Sequence, residues 1–242
     1  MKTKLAIIPI LALAGIIFFA CSDDDEINYE VKQSAATIKS LPDSTRILQL
    51  DQDNVLKATN MNSYAQIPNG RAIVTYEDHG QIAAPAGSNC QWHTGKITKL
   101  EPIATYKPAE MSDSIVSNDR IEVQLNNPMT CVQDGYLTIA YEIGSGNNGV
   151  QHHITLQKTD DPLVFYLHHD NGGDISATQV TEGVVAFDLR DLVPSNGNRH
   201  NIVIKYMGFG VAKTISIYFD GQRYNAPALM VGHETPMECY AC

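Results

Sequence analysis

The chain has 242 residues, 43% of them apolar and 18% charged, with a formal net charge of −10. That length suits one large or two small domains. Residues 22–30 hold five acids and no base, residues 31–107 eight basic and six acidic groups, and residues 108–242 seven basic and sixteen acidic. This balance argues against nucleic acid and anionic lipid as partners, because phosphate recognition needs clustered Lys and Arg.

Residues 1–20 read as a signal peptide: a cationic MKTK start, an apolar run over 5–20, and then Cys21. The run is shorter than the about 20 residues a spanning helix needs, and it contains Pro9. Cleavage before Cys21 and acylation of that cysteine, as with palmitate, are expected. Of the usual lipobox only Ala20 is well matched. Each buried acyl methylene contributes about 0.8 kcal/mol, so more than one chain anchors stably. Residues 21–34 form the expected tether. Its acids, Asp23, Asp24, Asp25 and Glu26, repel and extend one another. They also resemble the acidic patch that follows the cysteine in surface-exposed lipoproteins, which points to an outer-membrane protein facing out of the cell.

Beyond the tether, short alternating runs broken by Gly, Asn, Asp and Pro indicate antiparallel β structure. Residues 45–50, 55–58, 70–76 and 92–100 are predicted strands of a first lobe, 35–107, whose size suits an OB-like barrel. Residues 51–54 are a predicted turn, and residues 101–112, with Pro102 and Pro108, a linker. In a second lobe, 108–222, cleaner alternation groups Ile121, Val123 and Leu125. It likewise groups Leu137, Ile139, Tyr141 and Ile143, then Ile202, Ile204 and Tyr206, then Val211, Ile215, Ile217 and Phe219. About seven strands are predicted there, the size of an Ig-like antiparallel β-sandwich. Residues 187–192 leave a strand and form a helical turn. The tail, 223–242, has no assigned element.

Four cysteines besides Cys21 allow three pairings in an oxidising compartment. Structural disulfides among Cys90, Cys131, Cys239 and Cys242 are expected, including a Cys90–Cys131 bridge between the lobes. The terminal Cys239–Cys242 pair lacks the helix N-terminus that tunes a redox CxxC.

The histidines are the strongest candidates for chemistry. His152–His153 and His168–His169 flank Thr159–Pro162. A four-residue loop there would put Lys158 opposite Leu163, His153 opposite His168 and His152 opposite His169. His153 and His168 would then offer two imidazoles to Zn²⁺ or Cu²⁺, with Asp170 or Asp174 nearby. A structural zinc site wants four ligands and a catalytic one three, so a metal is disfavoured and no cofactor is expected. Residues 170–174 lack the EF-hand spacing and suit a turn. Gly208–Gly210 suits a turn between strands, and Gly144–Gly146 lacks the nucleophile-elbow spacing. On the barrel, Trp92, His93, Tyr64 and Tyr76 would make a stacking platform for a ring.

The order of these elements resembles the NigD-like lipoprotein family. The resemblance rests on the lipidated Cys21 with its acidic tether, on ILQLDQDNVL, IPNGRAIVTYE and WHTGKITKLEPI in the first lobe, and on NDRIEVQLNN, GYLTIAYEI, HHITL, LVFYLHHDNGGD and VVAFDL in the second. It implies an OB-type domain followed by a β-sandwich, and brings no established activity or catalytic residues. A non-enzymatic binding protein for a glycan, a peptide or another envelope protein is therefore expected. The alternatives are a metal-dependent or enzymatic protein using the His153/His168 hairpin, and an accessory or protective protein associated with bacteriocin production. The last follows from the family name.

Overall fold

The structure is a computed structural model and describes residues 28–50, 53–115, 117–146, 149–174, 178–192, 200–219, 228–230 and 236–237. Five strands come first: β1 (Glu30–Ser40), β2 (Arg46–Gln49), β3 (Asn54–Ala58), β4 (Gly70–Ile82) and β5 (Gln91–Pro102). They close into a barrel in the order β1-β2-β3-β5-β4. Only β3 and β5 pair in parallel. Closure leaves no free sheet edge to template association. Alternate residues, among them Ile38, Leu48, Leu56, Val74 and Ile97, fill the interior, and Met61 packs against them from a short 3-10 segment, Met61–Tyr64.

The remaining strands are β6 (Thr105–Tyr106), β7 (Ile121–Val123), β8 (Cys131–Gln133), β9 (Tyr136–Ser145), β10 (His153–Lys158), β11 (Val164–Asp170), β12 (Gln179–Asp188), β13 (His200–Met207), β14 (Ala212–Phe219), β15 (Ala228–Met230) and β16 (Pro236–Met237). One sheet runs β6-β12-β9-β7 with β8 on β9, and the other runs β10-β11-β13-β14-β15-β16. Their facing sides share one apolar core, which includes Leu137, Ile139, Phe165, Leu167, Phe187, Ile204 and Ile217.

The barrel-then-sandwich order is as expected, and several details differ. The pairings β6–β12 and β11–β13 are parallel. The chain leaves β11 for β12 in the opposite sheet and returns to β13 beside β11, which reverses the usual hairpin sense. Among the described residues nine strands lie between 105 and 219, more than the seven expected, because β6 and β8 are only two and three residues long. Thr105 and Tyr106 already belong to the sandwich, so its first strand precedes residue 108. The barrel begins at Glu30, inside the expected tether. Val211 is 64% exposed in the turn before β14 and does not share the face of Ile215 and Ile217. Residues 187–192 end β12 and make a single turn, with Leu192 N–H donating to Leu189 O. Segments 228–230 and 236–237 of the tail extend the second sheet.

The lobes meet along the outer face of β9. Ala35 and Ile73 of the barrel pack there with Met129, Ala140 and Val184. Beside this patch Arg71 is buried, 2% exposed, and its guanidinium donates to Thr37 Oγ1 at 2.9 Å, Gln133 Oε1 at 3.1 Å and Thr138 Oγ1 at 3.3 Å. Burial pushes its pKa down, although an arginine remains a cation in proteins. Gln133 Nε2 donates onward to Leu50 O at 2.6 Å, and Lys39 pairs with Asp134 at 2.6 Å. Arg71→Ala strands three buried acceptors and opens a void, and should lower the unfolding free energy by about 2–4 kcal/mol. Chemical denaturation is the check: a loss below about 1 kcal/mol would mean the lobes are held by other contacts.

Candidate functional site

The β10–β11 hairpin positions the histidines, and its register differs from expectation. Lys158 pairs with Phe165, Leu156 with Leu167, Ile154 with His169 and His153 with Asp170. The connection is longer than four residues because Thr159 and Asp161 organise it. Leu163 N–H donates to Asp161 Oδ1 at 2.9 Å, Val164 N–H to Asp161 O at 3.1 Å, and Thr159 Oγ1 donates to Val164 O at 2.9 Å. A two-residue slip preserves the faces and changes every opposite number. His153 and His168 therefore share the outer face as predicted, but they are not opposed. His168 pairs with Thr155, and Asp170 takes the place opposite His153. Asp174 lies apart from both, against His152. Among the described residues no group of three or more His, Cys, Asp or Glu is arranged to hold a metal ion.

What the fold brings together is His152, His169 and Asp174. His169, 1% exposed, sets Nδ1 2.9 Å from Arg120 O and Nε2 2.9 Å from His152 Nδ1. A carbonyl only accepts, so His169 carries its proton on Nδ1 and accepts at Nε2 from His152 Nδ1–H. The two rings stack with centroids 5.2 Å apart. His152 Nε2 stands 3.4 Å from Asp174 Oδ2 without a hydrogen bond. Gly146 N–H donates to the same oxygen at 2.8 Å. This chain of contacts ties together three stretches that are distant in sequence, around Arg120, residues 146–152 and residues 169–174.

The neighbouring segment is tied in too. Asp119 N–H donates to His169 O at 2.7 Å, and its carboxylate Oδ2 accepts from Ser117 Oγ at 2.6 Å and Asn171 N–H at 3.0 Å. The Ser117 bond, with the Asn171 bond in support, holds Asp119 below the ordinary carboxylate range. The 170–174 stretch is a turn that crosses between sheets. Gly172 adopts φ +62° there, and a Cβ would sit 2.5 Å from Gln151 O, so this position needs glycine twice over.

A cleft of roughly 530 Å³ opens over this knot, walled by Asn118, Asp119, Arg120, Asn171, Met207 and Phe209, with buried His169 and Asp174 also reaching it. A smaller cleft of roughly 270 Å³ flanks His152 and His153 on the side of Tyr106, Lys107 and Tyr141. In the sequence, residues Asn118–Arg120 open the NDRIEVQLNN motif but carry no sign of a site, because an irregular polar segment has no periodic signal. Their relation to His169 is purely tertiary.

The expected aromatic platform does not assemble. Trp92 is 6% exposed, packed with Ile47 and Val55 on the outer side of β2, β3 and β5, and its Nε1–H donates to Ser88 Oγ at 2.9 Å. Tyr76 and His93 meet elsewhere, at a cleft of roughly 420 Å³ in the barrel that Lys32 and Asp78 also line. Tyr64 packs against the barrel core, its hydroxyl 3.5 Å from Ile97 O. The Cys90–Cys131 bridge is also corrected: the two cysteines are not joined and lie in different surroundings. Cys90 packs by Trp92, whereas Cys131 is buried beside the Arg71 guanidinium, and burial pushes its thiol pKa up. Cys21, Cys239 and Cys242 lie outside the described residues.

A five-stranded barrel followed by a two-sheet sandwich with a polar cleft defines a two-lobed all-β protein. Residues 102–219 match the NigD-like C-terminal beta sandwich domain, so the second lobe is a sandwich of the NigD-like kind. Among solved structures it is similar to a protein described only provisionally as toxin-related, from Parabacteroides distasonis. The two are 24% identical, covering 79% of this chain and 94% of that one, with a TM-score of 0.64. It is also similar to a NigD-like immunity protein from Bacteroides caccae, 19% identical over 77% of this chain and 93% of that one, TM-score 0.52. A third similar structure, provisionally called a lipoprotein, comes from Bacteroides fragilis, 11% identical over 78% and 96%, TM-score 0.51. At these identities the likeness is one of fold. No curated protein matches the chain.

The buried histidines make a pH prediction. Burial holds both His168 and His169 below the ordinary histidine range. An unfolded histidine titrates near about 6.5. Below that pH the unfolded chain takes up protons that the native one refuses, so stability is full above about 6.5 and falls with acidification. Thermal melts from pH 8 down to 5 should show the fall, and His169→Gln should flatten it. An identical slope in the variant would show that His169 does not contribute.

Proposed function

We propose that this protein is a lipid-anchored envelope protein, displayed at the outer membrane and facing outward, that binds a ligand in the sandwich cleft without transforming it. The cleft itself carries the proposal: a concave surface with polar groups converging on an apolar wall is the usual form of a small-molecule site. Its buried titratable groups, His169 and Asp174, are committed to structure. His169 uses both ring nitrogens, one on a backbone carbonyl and one on His152. A general base needs a lone pair within reach of a substrate proton. The Asp119 carboxylate is held by two donors on one oxygen. The anchor rests on the cationic start, the apolar run and Cys21 followed by acids. A fold neighbour provisionally called a lipoprotein is consistent with it.

Two measurements test the two halves. Wild-type protein should fractionate with membranes and incorporate labelled palmitate, while Cys21→Ser should do neither. A Cys21→Ser variant that stays membrane-bound would refute the anchor. For the cleft, hydrogen exchange in residues 117–120 and 207–211 should slow when purified protein meets envelope glycan or peptide fractions. If neither fraction protects these segments, the binding role fails.

A further inference from the structure

Resting on that binding role, we infer that the sandwich cleft takes a neutral carbohydrate, a pyranose ring whose adjacent hydroxyls are read by Asp119 and Arg120 while its apolar C–H face lies on Phe209. The inference starts from which polar groups are already spent. Both donors to Asp119, Ser117 Oγ–H and Asn171 N–H, use Oδ2. Among the described residues Oδ1 has no hydrogen-bond partner. Arg120 is exposed, and its guanidinium makes no bond or ion pair among the described residues; only its backbone carbonyl is used, by His169. The Asn118 amide offers its N–H₂ as well, since its oxygen alone is used, 3.3 Å from His168 Nδ1.

An unspent carboxylate oxygen, an unspent guanidinium and an amide donor therefore belong to residues that line one cleft. A hydroxyl both donates and accepts, so a pair of neighbouring hydroxyls satisfies this set completely. Charge narrows the class. Asp119 and Asp174 outweigh Arg120, which disfavours a phosphate or carboxylate ligand. Asp174 is buried and its Oδ2 already accepts from Gly146 N–H, which leaves little for a free cation. Shape narrows it further. The walls at 118–120 and 171–174 are irregular segments, so an extended peptide finds no strand edge there for a ladder. Phe209, in the turn after β13, supplies the aromatic face with Met207 beside it. The roughly 530 Å³ lies within the span of about 300–1,000 Å³ common to small-molecule sites.

The test is calorimetric titration of the purified protein with neutral trisaccharides (mannotriose, cellotriose, chitotriose and galactotriose) and with trialanine as the peptide probe. At least one trisaccharide should bind. Arg120→Ala and Phe209→Ala should each weaken it by tenfold or more, and His93→Ala, in the barrel cleft, should leave it unchanged. Arg120→Ala removes no bond from the described structure, so its melting temperature should match the wild type and its loss of binding is not a folding defect. Trialanine binding that depends on Phe209, with no sugar bound, overturns the carbohydrate assignment and leaves the binding role standing. Sugar binding indifferent to both cleft variants also overturns it. Failure of every probe, with no exchange protection from envelope fractions, removes the assignment and the binding role together.

Discussion

A buried guanidinium holds this molecule together. Arg71 sits where the barrel wall meets the sandwich, and it faces neutral oxygens rather than a carboxylate. Desolvating a cation is costly, so each of its donors must be met. The partners come from β1 in the barrel and from β8 and β9 in the sandwich, and they are satisfied only when the two lobes dock in one orientation. The apolar patch of Ala35, Ile73, Met129, Ala140 and Val184 contributes contact area, and the polar cluster fixes its alignment. Small residues at Ala35 and Ala140 let the sheets approach closely enough for Arg71 to span them.

The same dependence on convergence governs the cleft. Its walls come from the segment before β7, the end of β11, the crossover turn after it and the β13–β14 turn. Apart from the end of β11 and the turn that follows it, these pieces are distant in the chain. The histidine pair fastens them: His169 reaches the Arg120 carbonyl and His152 reaches His169, while Asp174 accepts from Gly146 N–H. Imidazoles suit this task because a neutral ring donates from one nitrogen and accepts at the other, so it can relay a bond between two segments. The side chains that look most chemical in the sequence therefore serve as structure. The groups left for a ligand are an aspartate oxygen, an arginine and an amide in an irregular stretch.

Legibility varied with how each residue is buried. The runs at 121–125, 137–143 and 202–206 alternate cleanly because one sheet face meets the core and the other does not. β1 escaped because Ala35, Ala36, Thr37 and Ile38 are all buried in succession, between the barrel interior and the docked sandwich, so no alternation is left to see. The β10–β11 faces were legible and the register was not, since loop length depends on how Asp161 and Thr159 turn the chain. Trp92 looked available for stacking, yet packing against Ile47 and Val55 claimed it.

By itself the sequence determined the class: alternating strands, an early barrel, a later sandwich, and a cysteine behind an apolar run. These features are local, written in periodicity and composition over a few residues at a time. Only the tertiary structure decided which histidines touch, that Cys90 and Cys131 stay apart, and that Asp119 and Arg120 front a cleft. Those outcomes depend on register and on docking between segments about fifty residues apart. Such geometry is set by the joint satisfaction of many buried groups and leaves no mark on any one stretch of chain.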